Sequence, residues 1–285
     1  MNDKNLHIDN SGNPGEEEKF FGMSEPAYNK TKDEVLNNIF NEVESENQAF
    51  KTRRSYPLLY SAAAVILVLI SVSLIMRFYT ININSPRGEH MAYTLPDNSN
   101  VILNAESQLS FHPYWWFLTR EVKLEGEAFF EVTKVEKFDV KSYMGTTSVL
   151  GTSFNVFARS NVYKVDCFTG KVKIKSNTRE ELILTPSYSA EVQDDGSIKL
   201  SKFSENKNEK DWVNNMFNFN AVPFKKVLAE VERQFNIKIE TDITDEFIYT
   251  GNFSANRSID ETLNLLCKPF GLEYEKINNK VYRLK

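Results

Sequence analysis

Arg120-Glu-Val-Lys-Leu-Glu-Gly-Glu-Ala-Phe-Phe-Glu-Val132 alternates apolar and polar residues. Val122, Leu124, Gly126, Ala128, Phe130 and Val132 fall on one face, while Glu121, Lys123, Glu125, Glu127 and Glu131 fall on the other. Successive residues of a strand point to opposite faces, so the stretch reads as a half-buried β-strand, or as two strands joined by a bend at Gly126. A row of glutamates could serve a metal ion or paired-carboxylate chemistry. No His or Asp cluster accompanies it, and the wet face of a strand accounts for the pattern.

The flanks repeat the theme. Met91-Ala-Tyr-Thr-Leu95 enters the turn Pro96-Asp-Asn-Ser-Asn100 and leaves through Val101-Ile-Leu103. Phe138–Val140, Thr147–Leu150, Phe154–Phe157, Val162–Phe168 and Lys171–Ile174 continue as short strands, the last two joined at Thr169-Gly170. With no helical pattern between Ser85 and Leu200, this region is expected to be an antiparallel all-β domain. Within it, Phe111-His-Pro-Tyr-Trp-Trp-Phe117 is dense in aromatics. It fits a partner hot spot or a membrane-interface belt, but a corner of the core suits it best.

Downstream, Asp194-Asp-Gly196 and Ser204–Asp211 read as a turn and a linker, after which the pattern is mixed. Phe217 and Phe219 alternate as a strand; Pro223 suits the first turn of a helix whose stripe is Phe224, Val227, Leu228, Val231 and Phe235. Strands at Ile237–Ile239 and Tyr249–Phe253 come after it. Ser258-Ile-Asp-Glu261 has capping-box spacing for a second helix with Ile259, Leu263 and Leu266 inward, closed by Pro269 and Gly271. Leu272–Tyr274 and Lys280–Leu284 complete a βαββαββ-like order, a small α+β domain with both helices on one face.

Upstream, Ser55 to Met76 carries no charge, with the core Pro57-Leu-Leu-Tyr-Ser-Ala-Ala-Ala-Val-Ile-Leu-Val-Leu-Ile-Ser-Val-Ser-Leu-Ile-Met76. A helix of this length covers roughly 30 Å, the thickness of a bilayer's hydrocarbon. Core helices are seldom apolar on every face for so long, so a transmembrane helix over 55–78 is expected. The run starts far from Met1 and is succeeded by Arg-Phe-Tyr rather than a small-residue cleavage site, which favours a retained single-pass anchor. Lys51, Arg53 and Arg54 outweigh the spaced Arg77 and Arg87, placing the N-terminus inside.

Residues 1–18 are polar and have little to bury. Thr31-Lys-Asp-Glu34 then has capping-box spacing, and Val35, Leu36, Ile39, Phe40 and Val43 form one apolar stripe on an acidic helix. A lone helix of about 15 residues is marginal in water and cannot bury its own stripe. Glu42, Glu44 and Glu46 disfavour an anionic membrane surface as its cover. A partner protein is expected there, with Phe20, Phe21 and Met23 as further anchors.

The net charge of −5 and pI near 5.5 leave no basic footprint for nucleic acid. Cys167 and Cys267 lie far apart with no framework pattern, which favours two buried thiols over a disulfide. There is no HExxH, CxxC or P-loop, and Gly151-Thr-Ser-Phe-Asn155 departs from GxSxG at its last position. With three histidines and 11 glycines in 285 residues, neither an enzyme nor a cofactor is expected.

Taken together, these residues resemble the FecR family of single-pass anti-sigma factors in its Bacteroidota form. The resemblance rests on Ser85-Pro-Arg-Gly-Glu, Tyr93-Thr-Leu-Pro-Asp-Asn-Ser-Asn-Val-Ile-Leu-Asn-Ala-Glu-Ser107, the Arg120–Val132 stretch, Val149-Leu-Gly-Thr-Ser-Phe-Asn-Val156 and Thr169-Gly-Lys-Val-Lys-Ile174. The C-terminal part is similar to the domain that succeeds it in that phylum, akin to the short secretin/TonB N-terminal fold. Its marks are Trp212, Phe217-Asn-Phe219, Pro223-Phe-Lys-Lys-Val-Leu and Ser258-Ile-Asp-Glu-Thr-Leu-Asn-Leu-Leu266. Family members often carry Gly three residues after the tryptophan; Asn215 stands there, the residue that best tolerates the left-handed region after glycine. The usual inner domain is a helical bundle of roughly twice this segment's length, whereas one strong helix is available here.

The resemblance implies a partition into a cytoplasmic segment 1–54, a span 55–78, a periplasmic FecR-like β domain 79–200 and a signalling domain 201–285. It implies an inner-membrane protein whose stripe, Val35, Leu36, Ile39, Phe40 and Val43, binds an extracytoplasmic-function sigma factor. Outside, the signalling domain of a TonB-dependent outer-membrane transporter would dock. The alternative is an envelope scaffold or ligand-binding module with a bare anchor.

Overall fold

The computed structural model of the chain describes residues 30–49, 56–159, 161–203, 211–242 and 247–285. Phe20, Phe21, Met23, Lys51, Arg53 and Arg54 lie outside them. The chain forms two compact units, 1–66 and 67–285.

In the first unit, helix α1 is Lys32–Ala49. Glu34 Oε2 accepts from the Thr31 amide at 3.1 Å, the reach-back of a capping box, and Asp33 and Glu34 complement the positive end of the helix. Helix α2, Tyr56–Phe78, begins in the first unit and ends in the second. It has 23 residues, about 34 Å at the usual rise, and none of them is buried.

Thirteen strands come next in the second unit: β1 Ile81–Ser85, β2 Met91–Thr94, β3 Asn100–Leu103, β4 Ser107–Phe111, β5 Glu121–Glu131, β6 Phe138–Lys141, β7 Gly145–Val149, β8 Ser153–Arg159, β9 Val162–Cys167, β10 Val172–Ser176, β11 Glu181–Leu184, β12 Tyr188–Val192 and β13 Ile198–Lys202. The alternating stretch at 120–132 is one continuous strand, β5, shared between two layers. Its first half pairs with β4 and with β6, and β7, β10 and β11 extend that layer on one side, β1 on the other. Its second half pairs with β3 and β8, and the second layer runs β2, β3, β5, β8, β9, β12, β13. One apolar core takes Leu109, Val122, Val140 and Ile174 from the first layer and Val101, Phe130, Phe154 and Val165 from the second.

The connection after β5 forces the bend. Asp139 pairs with Glu121, so the chain returns from Glu131 to the start of β5 over 132–137. That connection reaches at most about 25 Å, whereas a straight strand of this length spans about 34 Å. Gly126 supplies the fold-over at φ +112°. A Cβ there would stand 2.6 Å from Ser107 Cα, so glycine is required twice over.

The pairing differs from the expectation in two places. β5–β6 is parallel, a consequence of that return, in an otherwise antiparallel body. Helical structure also interrupts the body, a 3₁₀ turn Pro113–Trp115 running into α3, Trp116–Thr119. Proline at the first position presets the turn, and Arg120 closes it in the left-handed region. Five strands, β1, β4, β11, β12 and β13, escaped the alternation reading.

The remainder runs β14 Met216–Pro223, α4 Phe224–Phe235, β15 Lys238–Glu240, β16 Ile248–Ser254, α5 Ile259–Cys267, β17 Tyr274–Asn278 and β18 Val281–Leu284. Its strands form two small sheets rather than one: β14–β16 antiparallel, and β15–β18–β17 with a parallel β15–β18 pair. Phe224, Val231, Phe253, Leu263, Leu266 and Tyr282 share a separate core. Pro223 is the N-cap of α4 rather than a residue of its first turn, because its ψ of 130° is still extended. The Ser258–Glu261 capping box forms in full. Asn215 is left-handed at φ 61°, as the glycine it replaces would be. Cys167 and Cys267 are free and buried, and burial pushes both thiols up to about 11.

Candidate functional site

Two surfaces and one internal joint concentrate the informative side chains. On α1, Val35, Leu36, Ile39, Phe40 and Val43 occupy an arc of about 140° at 100° per residue. Val35 is half-buried, while Leu36, Ile39, Phe40 and Val43 are 41–62% exposed. These sequence-predicted residues therefore lie together on one uncovered stripe.

The joint ties the strand-rich body to the C-terminal part and consists of polar groups that alternation did not single out. Gln234, on α4 and 8% exposed, is its centre. Its Nε2 donates to Asn104 Oδ1 and to Glu230 Oε1, both at 2.7 Å. Its Oε1 therefore faces His90 Nε2 at 3.0 Å, which fixes that imidazole nitrogen as the donor. Asn104 Nδ2 passes the chain to Glu127 Oε2 at 2.8 Å, and Asn155 Nδ2 takes Glu127 Oε1 at 2.9 Å. Trp212 Nε1 donates to Asn155 Oδ1 at 3.1 Å and packs edge-on against His90. Gly88, at φ +82°, donates its amide to the Arg233 carbonyl at 2.8 Å near the end of α4.

Glu127 thus departs from the wet-face expectation: past the bend, its face of β5 is covered by this network. Burial, then the charge of Glu230, raises its pKa against the opposing pull of Asn155, Arg159 and Asn104. Burial lowers that of His90, against its hydrogen bonding with Gln234 and Asn104 and the charge of Glu230. Glu230 and Gln234, one helical turn apart, form a second buried face on α4 beside its apolar stripe. In sequence they are indistinguishable from a solvated face.

The aromatic stretch divides. Phe111 and Trp116 are buried at 2% and 1%, as a core corner requires, but Tyr114, Phe117 and Leu118 are exposed. Arg120 seals the turn: its guanidinium is paired with Asp97 and the Glu136 carbonyl, and it lies over the Phe138 ring. Asp97 Oδ1 also accepts from the Ser99 amide at 3.0 Å. The Leu-Pro-Asp block and the start of β5 are one buried ion-pair unit. Among the described residues, no group of three or more His, Cys, Asp or Glu is gathered to hold a metal ion.

What fold and joint define is a β module with a C-terminal part keyed into it and an apolar N-terminal helix. The chain belongs to the FecR family: the model described as "FecR protein" matches residues 81–173 and that described as "FecR, C-terminal" matches 216–283. The first match starts where β1 starts, and the layers it begins run on past its end through β13. Two crystal structures of a candidate anti-sigma factor from Parabacteroides distasonis ATCC 8503, at 2.50 Å and 1.65 Å resolution, are similar to this chain at 28% identity and a TM-score of 0.64. The similarity covers 72% of this chain and 98% of that one. No curated protein matches.

Proposed function

We propose that this chain is a single-pass inner-membrane anti-sigma factor, with residues 1–54 cytoplasmic, 55–78 spanning, and domains at 79–200 and 201–285 in the periplasm. The observation that carries the reading is the stripe of α1, an apolar face that stands exposed among the described residues. The stripe covers a surface of an extracytoplasmic-function sigma factor and holds it from RNA polymerase. Family membership and the anti-sigma description of the Parabacteroides distasonis protein support that assignment.

On the outer side, the signalling domain of a TonB-dependent transporter adds a strand to β17, which is an edge strand among the described residues and mostly exposed. The relay involves no bond-making. A signal shifts the sigma equilibrium only through different affinities for the bound and released states.

Leu36→Asp and Phe40→Asp test the inner half. Each sets a charge on the stripe and is expected to lower sigma capture at least about tenfold, the order for loss of a central apolar anchor. The melting of the outer domains should stay unchanged. Normal capture by both variants removes the stripe from the mechanism. If deleting residues 1–45 also leaves transcription untouched, the chain is an anchored envelope scaffold instead.

A further inference from the structure

The register of the β1–β4 pair decides which end of the β body lies next to α2. The helix ends at Phe78 and β1 begins at Ile81, whose partner is Phe111, the last residue of β4. The aromatic turn leaves β4 at Phe111 and must therefore emerge beside the end of α2. The contacts agree: His112 Nδ1 lies 3.1 Å from the Tyr79 carbonyl and 3.2 Å from Thr80 Oγ1. The Tyr79 and Tyr114 rings are 5.5 Å apart, and the Arg77 guanidinium lies 5.6 Å over the Trp115 ring.

The turn is held from below and bare above. Trp116 roots it in the core and left-handed Arg120 closes it, while Phe117 is 82% and Leu118 73% exposed. Two large apolar side chains held on a rigid tip have no internal reason to face water. From Phe111 to Thr119 no residue carries a carboxylate or an ammonium, so nothing in the turn repels a headgroup layer.

We propose that the turn Tyr114–Leu118 seats in the interfacial layer of the bilayer, on the side where the β body emerges. Phe117 and Leu118 enter the acyl boundary, and Tyr114 and Trp115 lie at headgroup depth beside Arg77. The occupant is lipid because the turn packs against the residues that end α2 and leave it, Tyr114 on Tyr79 and Trp115 under Arg77, and the last residue of that apolar helix, Phe78, is itself 73% exposed. This seating gives the β body a second foothold, so it stands on the membrane in one orientation instead of swivelling on its tether. The inference rests on the reading of Tyr56–Phe78 as a membrane span.

The full chain, reconstituted in vesicles of phosphatidylcholine and phosphatidylglycerol, carries a nitroxide at Phe117→Cys, Val68→Cys or Ile183→Cys in separate samples. Ile183, 61% exposed on β11, serves as the water-facing reference. Collision with oxygen and with a polar nickel chelate then reports the surroundings of each label. Residue 117 is expected to favour oxygen several-fold over residue 183, in the direction of residue 68. If 117 matches 183 while 68 reads lipid, the seating is overturned and the span stands. If 68 also reads water, the span reading falls and the seating with it. A label at 117 shielded from both reagents means a protein surface covers the turn, which overturns lipid as its occupant.

Discussion

Glu127 and His90 belong to one hydrogen-bonded chain, and burial pushes them in opposite senses. The carboxyl of Glu127 is raised above its unfolded value. Its contribution to stability is therefore complete below the unfolded pKa and is lost as pH rises through the folded one. The imidazole of His90 is lowered, so its contribution is present above the unfolded pKa and is lost as pH falls toward the folded one. Glu230, Arg159 and Arg233 are the charged groups around them. Glu127→Gln should flatten the loss of thermal stability on the alkaline side of the carboxyl titration, and leave the acid-side loss due to His90 in place. The variant also turns an amide NH₂ toward one of the two asparagine NH₂ groups, whose Oδ1 atoms are held by Gln234 and Trp212. In acid, where the native carboxyl is protonated, it should be less stable by about 1–3 kcal/mol. Melting curves of both proteins across pH check this; identical slopes would mean that Glu127 does not titrate in the window.

The bend of β5 decides whether two layers can share a strand, and its glycine gives a sharp test. Gly126→Ala must hold an L-residue at φ +112° and push back the Ser107 backbone, with an expected cost of about 2–4 kcal/mol. Gly271→Ala is the control: its φ of +68° is also left-handed, but no atom lies within 4 Å of the added carbon, so about 1–2 kcal/mol is expected. Urea midpoints at constant m separate the two; equal losses would mean the bend tolerates a side chain. This element shows what was legible in sequence. Alternation placed β5 and its bend, because one buried face imposes a period of two. It missed β11 and β13, whose patterns hold few buried residues, and the Pro113–Thr119 turn, which is too short to show a helical period. The stripe of α1 was readable from its helical spacing alone, since the structure leaves most of it exposed among the described residues. Gln234 and Glu230 were not, since a polar residue satisfied in the interior and one satisfied by water look alike until the partner surface is known.

At the scale of the molecule, the proposed relay needs the C-terminal part and the β body to respond as one, and the polar joint is the structure that ties them. Two separate cores alone would leave two domains free to move against each other, the default for a chain whose parts meet through a small interface. Gln234 opposes this at the centre of the joint, through three bonds that cross or brace the boundary, beside the flanking Trp212–Asn155 and Gly88–Arg233 bonds. Gln234→Leu keeps the volume and both cores but strands the His90 donor and leaves Glu230 without that amide. Each buried group left unpaired costs about 1–3 kcal/mol. The cost falls on the joint rather than on either core. The outer part of the full chain in detergent is therefore expected to melt in one calorimetric transition, and the variant in two, each domain retaining its own. In cells, sigma capture by α1 should persist in the variant while the response to the outer signal weakens, since only the coupling free energy has been reduced. A single unaltered transition with an intact response would assign the joint a packing role alone. Two transitions already present in the native chain would remove it from the relay altogether.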